Sequence, residues 1–448
     1  MINANQIVMD SQKQAKASMQ AERKKLIYKL LDYYSGDNTE QYISGRFSAK
    51  AYQEVPLSSF NVTKRMIDRM SRIYTLGASR SLSAMDDKYQ LMTVNKDYRL
   101  KHIEKMTRLL GTVATQISFN ADNNEFYYNP VYAFDVEMSE YDQHVVESIT
   151  FPMLTASHDI ASNDKLLYCY MDSNIKQIRD EDGVIISEEV NPYGFLPFAF
   201  SHRDHYLDSF FCAPAYDIIN CNEQINILLT EANLGMRFQM FGQYVVTGMY
   251  ADESYKRAGS DEMIVLPEGA NLSIEAPKVN VEQALKLARN MLELVAQNNH
   301  LSISFADTNK DRPSSGIALK IKDLERHEDY QDDLEIWRRF ENNLYNIERQ
   351  IAMFSGVMLP DKIGIDFNEP EYPQAVADQI AMDTWMLEND LTTKAQLLQQ
   401  RNKDLSIEQA EGIIKENTEK NGAGKTNEAG AGAGQSIFSR LRGGTPEA

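Results

Sequence analysis

Apolar residues recur every three or four positions through three long stretches of the chain, and a short piece rich in β-formers separates the first two. Pro214 to Phe241 carries Ile218, Cys221, Ile225, Leu228, Ala232, Met236 and Met240 on that spacing. Such steps set side chains on one stripe of a helix. Val281, Leu285, Ala288, Leu292 and Val295 repeat the pattern. A third stretch follows Pro313-Ser314-Ser315-Gly316 and aligns Trp337, Phe340, Leu344, Ile347, Ile351 and Phe354. At 1.5 Å per residue, a helix over 315–355 reaches about 60 Å. A helix of that length packs against neighbours in a bundle or an assembly rather than serving one compact globule.

The remaining pattern is mixed. Residues 11–35 read as an amphipathic helix ended by Gly36, and 61–76 as another, with Val62, Met66, Ile67, Met70 and Ile73 at helical spacing. From about Leu82 to Phe200 the texture turns strand-like, with Ala114–Phe119, Glu125–Phe134 and Val145–Phe151 divided by polar turns. Asp180-Glu181-Asp182-Gly183 predicts a hairpin turn. Gln243–Tyr250 and Glu262–Pro267 are β-like but too short for a core of their own, so they are expected to pair outside themselves, for instance with another subunit. Lys362–Phe367 alternates as a strand, Pro373 opens a helix to about Glu388, and Ser406 with Gln409 forms a capping box for a helix ending near Asn417. Gly, Ala and polar residues dominate from Glu419 onward and predict a disordered tail. The class is α+β, predominantly helical.

Composition narrows this further. A 448-residue chain with 43% hydrophobic and 25% charged residues can bury a large core, divided among about two to four domains. Its three cysteines are too few and scattered for a disulfide framework, which fits a reducing cytoplasm. No window approaches a membrane span, and the polar segment Met1–Met19 lacks the apolar core of a secretory signal. The net charge of −19 argues against tight gripping of nucleic acid through phosphates. It remains compatible with a surface past which DNA must slide.

In this order the segments resemble a tailed-bacteriophage portal protein, over about Ala21 to Asn417. Leu30-Leu31-Asp32-Tyr33-Tyr34-Ser35-Gly36-Asp37 is similar to the family's helix-ending element, and Asn61, Ile67, Ile73-Tyr74 and Gly77 to the helix that follows. Asn191-Pro192-Tyr193-Gly194-Phe195-Leu196-Pro197 resembles the strand closing the wing domain. Asn220 to Gln224 sits where portals carry an Asn in the first stem helix. Val245-Val246-Thr247-Gly248 is similar to the strand entering the clip, and Ser315-Gly316-Ile317-Ala318-Leu319-Lys320 to the start of the long helix.

The resemblance implies an N-terminal arm (1–19), a mixed α/β wing (20–212), stem helices (213–242 and 281–299) and a small β-containing clip (243–280). A tunnel loop (300–315), the long wing helix with its returning strand (316–373), a small helical crown (374–418) and the tail (419–448) follow. It further implies a dodecameric ring in the virion, assembled in the host cytoplasm, that conducts double-stranded DNA. The implied partners are the large terminase, head-completion and adaptor proteins, and the major capsid and scaffolding proteins. Tyr244, Val246, Tyr250, Ile264 and Leu266 are the candidate clip contacts, and Asn309, Lys310 and Arg312 the candidate DNA-facing residues of the loop. No catalytic residue, cofactor or metal is implied.

Three other signals have plainer explanations. Gly422-Ala423-Gly424-Lys425-Thr426 ends like a phosphate loop, but Glu419 stands where another glycine is needed and no strand precedes it. His202-Arg203-Asp204-His205, with Cys212 and Cys221 downstream, suggests a metal-dependent nuclease or hydrolase, yet lacks the tight ligand pairs of zinc sites. Asp329, Asp332, Asp333 and Glu335 lie among Arg326, Arg338 and Arg339, as on an exposed salt-bridged helix face. A cytoplasmic helical scaffold of another kind is the remaining alternative. The 302–313 connection, by contrast, is longer than helix–helix links usually are, as functional loops tend to be.

Overall fold

The computed structural model describes residues 4–47, 56–142, 144–153, 167–205, 209–241, 243–248, 269, 271–275, 280–301, 324–368, 376–402 and 405–428. Twelve helices and twelve strands form among them, and helix predominates, so the α+β class holds. The chain divides into two compact units, Met1–Arg312 with Lys322–Glu371, and Pro313–Ile321 with Tyr372–Ala448.

In the first unit, helix α1 (Ala4–Ser35) runs through the segment expected to be an arm. It stops where Gly36 takes φ 86° and its N–H bonds the Asp32 carbonyl at 2.8 Å. The short α2 (Glu40–Ser44) follows. The single helix expected over 61–76 is two, α3 (Val62–Met70) and α4 (Ile73–Leu76), broken at the extended Ser71. The break has a partner. The buried Glu104 carboxylate accepts from the N–H groups of Ile73 and Tyr74, at 2.9 and 3.1 Å, and supplies acceptors that a new helix start would lack. Burial pushes the Glu104 carboxyl up, and these backbone donors pull against it.

Glu104 belongs to α6 (Lys96–Leu110), which follows α5 (Asp86–Met92). At its end Gly111 takes φ 84°, and a Cβ there would run into the Cys212 carbonyl. Around this point β2 (Thr112–Asn120) begins. It lies between β3 (Glu125–Val131) and β9 (Phe198–His202) in a three-stranded antiparallel sheet. A five-stranded antiparallel sheet runs in order through β4 (Asp135–Met138), β5 (Val146–Met153), β6 (Leu167–Asp172), β7 (Ile175–Arg179) and β8 (Ile185–Val190). The β7–β8 turn forms as predicted: Gly183 has φ 80°, and the Asp180 carboxylate accepts from the N–H groups of Asp182 and Val184.

Helix α7 (Tyr216–Phe241) leads into β10 (Gln243–Thr247), which pairs antiparallel with β11 (Asn271–Glu275) before α8 (Val281–Asn298) returns. β10 therefore pairs outside the 243–267 piece, with a strand of the same chain. The segment Glu262–Pro267 lies outside the described residues. Helix α9 (Leu324–Phe354) has 31 described residues, about 46 Å. It packs Trp337, Phe340, Leu344 and Ile351 into the main core beside α1, α3, α6 and β2. After it β12 (Ile363–Phe367) pairs antiparallel with β1 (Ala78–Leu82).

The second unit holds α10 (Val376–Glu388), α11 (Lys394–Arg401) and α12 (Ile407–Glu428). The Ser406–Gln409 capping box forms with bonds of 3.0 and 3.2 Å. Thr393 and Gln396 make another at α11. Helix α12 continues past the expected end at Asn417 to Glu428, so Gly422–Thr426 lie within a helix, not in a loop after a strand. That backbone does not cradle a phosphate.

Candidate functional site

The hairpin of α7 and α8 is held by a small core of Cys221, Ile225 and Ala288, with Leu228, Met291 and Leu292 against it. The stripe predicted on α7 is buried as far as Ala232, apart from the half-buried Leu228, and then emerges: Met236 is 38% and Met240 77% exposed. Phe238 is exposed beside them, as are Leu285, Leu287 and Leu294 on α8. The periodicity was legible; the exposure of its outer turns was not. Tyr244 and Val246 sit on β10 opposite Ile274 and Leu272, where the hairpin ends. Tyr250, Ile264 and Leu266 lie outside the described residues.

On another face of α7, Asn222, Asn226 and Thr230 form a ladder at four-residue steps, all buried. Asn222 Oδ1 accepts from the Val62 N–H at 2.6 Å, Asn226 Oδ1 from Phe60 at 2.8 Å, and Thr230 Oγ1 from Ser58 at 2.9 Å. Asn226 Nδ2 returns a bond to the Phe60 carbonyl at 3.3 Å. Side chains of one helix thus do for residues 58–62 what a neighbouring strand would do. Each bond nets about 1 kcal/mol, and a buried N–H left without one costs about 1–3 kcal/mol. Of the segment Asn220–Gln224, Asn222 is the member in this ladder, and its recurrence at steps of four was the signal for the rest.

Helix α8 ends at a post for the segment that follows. His300 takes φ 50°, and the N–H groups of Leu301 and His300 reach the carbonyls of Ala296 (2.7 Å) and Gln297 (2.9 Å). This is a Schellman closure with His where glycine is usual. The imidazole explains the choice, since Nδ1 lies 2.7 Å from the Asp329 carboxylate near the start of α9. Asn299 donates to Asp217 at 2.9 Å and accepts from Arg203 at 3.4 Å. Asp333 pairs with Arg108 on α6, not with arginines of its own helix as the sequence suggested. Asn309, Lys310 and Arg312 lie outside the described residues.

Farther along α9 sits a buried ionic network that sequence reasoning missed. Glu341 accepts from Arg80 Nε at 2.8 Å and lies 3.6 Å from Lys96 Nζ. Glu348 accepts from Lys96 at 2.8 Å, Tyr128 at 2.6 Å and Tyr89 at 2.7 Å. Lys96 and both glutamates have no exposed surface. Burial alone would raise the Glu341 carboxyl, but Lys96 and then Arg80 overturn that and hold it below the usual range. Burial raises the phenols of Tyr89 and Tyr128, with Glu348 adding to it.

His202, Asp204 and His205 line one cavity of about 370 Å³ with His144 and Arg339. His202 is buried, with Nδ1 3.2 Å from Thr112 Oγ1. Burial, with Arg339 second, lowers its pKa to about 4, so the ring is neutral at pH 7. The Asp204 carboxylate accepts from the His205 N–H at 2.8 Å, and Cys212 Sγ donates to the Asp204 carbonyl at 3.6 Å. Cys221 is in the hairpin core. Among the described residues no three His, Cys, Asp or Glu side chains are grouped as metal ligands, and no helix is long and apolar enough to cross a membrane. No protein-family model matches the chain, and no curated protein matches it either.

Proposed function

We propose that the chain is the protomer of a viral portal, a ring at the unique vertex of a capsid. The ring conducts double-stranded DNA during packaging and ejection and docks the large terminase, then head-completion or adaptor proteins. Major capsid and scaffolding proteins surround it. The observation that carries the proposal is the α7–α8 hairpin, which ends in a two-stranded ribbon and leaves Met236, Phe238, Met240, Leu285, Leu287 and Leu294 uncovered. An isolated protomer would hold these apolar groups in water, whereas cyclic repetition covers one hairpin with the next.

In this assignment α7 and α8 form the stem, β10 and β11 the base of the clip, and the second unit the crown. The body of the first unit is the wing, crossed by α9. The charge of −19 suits a wall along which DNA slides instead of sticking. The chain performs no catalysis here; the motor that hydrolyses ATP is the docked terminase.

Negative-stain imaging of the purified full-length protein tests the proposal. Rings with a central hole are expected, and Phe238→Asp with Met240→Asp should reduce them to smaller species without changing the circular dichroism. A compact closed dimer with no channel would refute the proposal.

A further inference from the structure

Strand β8 closes one side of the five-stranded sheet, and among the described residues it pairs only with β7. A register shift between Ile178 and Arg179 leaves Ile186 bulged, and regular pairing continues from Ser187 to Val190. The apolar side chains on this edge face water on both sides: Ile185 is 50% exposed, Ile186 58% and Val190 80%. Val184, just before the strand, is 60% exposed. Sheets commonly guard an edge with lysine, proline or a covering element. The opposite edge, β4, is guarded in that way. Arg23 from α1 donates to the Phe134 carbonyl, and Arg23 and Lys24 both pair with Asp135. β8 contains neither Lys nor Pro, and its charges are Glu188 and Glu189.

We propose that β8 is a docking edge for an extended segment of another protein, one that alternates apolar β-formers with Lys or Arg and adds as a sixth strand. Backbone hydrogen bonds supply the affinity in this mode of recognition, and side chains on alternate faces supply the choice of partner. Charge decides the occupant. A second β8 laid antiparallel on the first would gather four carboxylates on one ribbon, and like charges across strands destabilise it. Glu188 and Glu189 point to opposite faces, where β7 offers them Gln177 at 2.5 Å and Lys176 at 3.6 Å, so an alternating basic strand adds a favourable cross-strand pair to whichever carboxylate its charged face meets. The inference stands apart from the portal proposal, because it depends on β8 alone.

The test uses full-length protein titrated into fluorescein-labelled peptide and read by anisotropy. The probes are the peptide TKVRIKV, its charge-reversed form TEVEIEV, and TKVRIKV methylated on alternate backbone nitrogens. TKVRIKV should bind saturably, and each of the other two about tenfold more weakly or worse. Glu188→Lys with Glu189→Lys, both at the exposed edge, should reverse the preference between the charged peptides. Equal binding of the methylated peptide would mean bulk attraction to an acidic protein and would overturn the inference. Absence of saturable binding, or no effect of the β8 substitutions, would overturn it too. So would self-association abolished by those substitutions, which would put a second copy on the edge.

Discussion

Replacing Lys96 by methionine puts the reasoning about the buried network at risk most directly. Lys96 Nζ bonds Glu348 at 2.8 Å and the Tyr89 hydroxyl at 2.9 Å, and lies 3.6 Å from Glu341, all without exposed surface. Methionine fills nearly the same volume, so packing changes little. What changes is charge. Glu348 would keep only the neutral donors Tyr89 and Tyr128, and Glu341 would keep Arg80 alone. Breaking a buried pair by removing one partner costs about 3–5 kcal/mol, because the other charge is left uncompensated. Adding Glu348→Gln removes that charge, and the remaining loss falls to about 1–2 kcal/mol of imperfect hydrogen bonds. The signature is therefore a coupling energy of about 2 kcal/mol or more between the two sites. Urea unfolding followed by tryptophan emission reads it in a Trp385→Phe background, where Trp337, in edge contact with Tyr74 at 5.4 Å, is the reporter. A single-mutant cost below about 1 kcal/mol, or a double mutant no more stable than the single, would refute the account.

Two further outcomes are expected. Asn226→Ala removes the acceptor of the Phe60 N–H and the donor to its carbonyl, and should destabilise by about 1–3 kcal/mol while accelerating amide exchange at Phe60 first. Unchanged exchange there would count against the ladder. His202, with its pKa lowered to about 4, favours folding most where the imidazole is neutral in both states. Its contribution is full above about pH 6.5 and is lost progressively as pH falls toward the folded value. His202→Gln should accordingly lose less stability than wild type between pH 7 and 5, measured by thermal unfolding; parallel losses would contradict a neutral buried ring.

Elements governed by local chemistry were readable in the sequence. Gly36, the Asp180–Gly183 turn and the Ser406–Gln409 box each carry their own signal within a few residues, and each forms. The stripe of Trp337, Phe340 and Leu344 was equally plain. Helix α6 was not, because Lys96 and Glu104 lie on its buried side and blur the polar–apolar division. Glu341 and Glu348 looked like more surface charge on an acidic helix, since Arg80 and Lys96 stand 261 and 252 residues away along the chain. The break at Ser71 had the same origin in a distant carboxylate. His202, Asp204 and His205 do share a cavity wall, as their adjacency suggested, but they do not converge as ligands.

The spacing of the two buried glutamates has a consequence for motion. Glu341 and Glu348 are seven residues apart, two turns of α9, and each meets a cation from a different element. Sliding the helix by one turn, about 6 Å, would present Tyr345 and Ala352, or in the other direction Trp337 and Leu344, to Arg80 and Lys96. Either slip strands two buried cations against groups that carry no negative charge. The helix is in effect a keyed shaft with one axial position. Displacement near Asp329 must then reach Phe354 as movement of the whole rod, or be taken up beyond it at Gly356, whose φ of 76° marks the first bend.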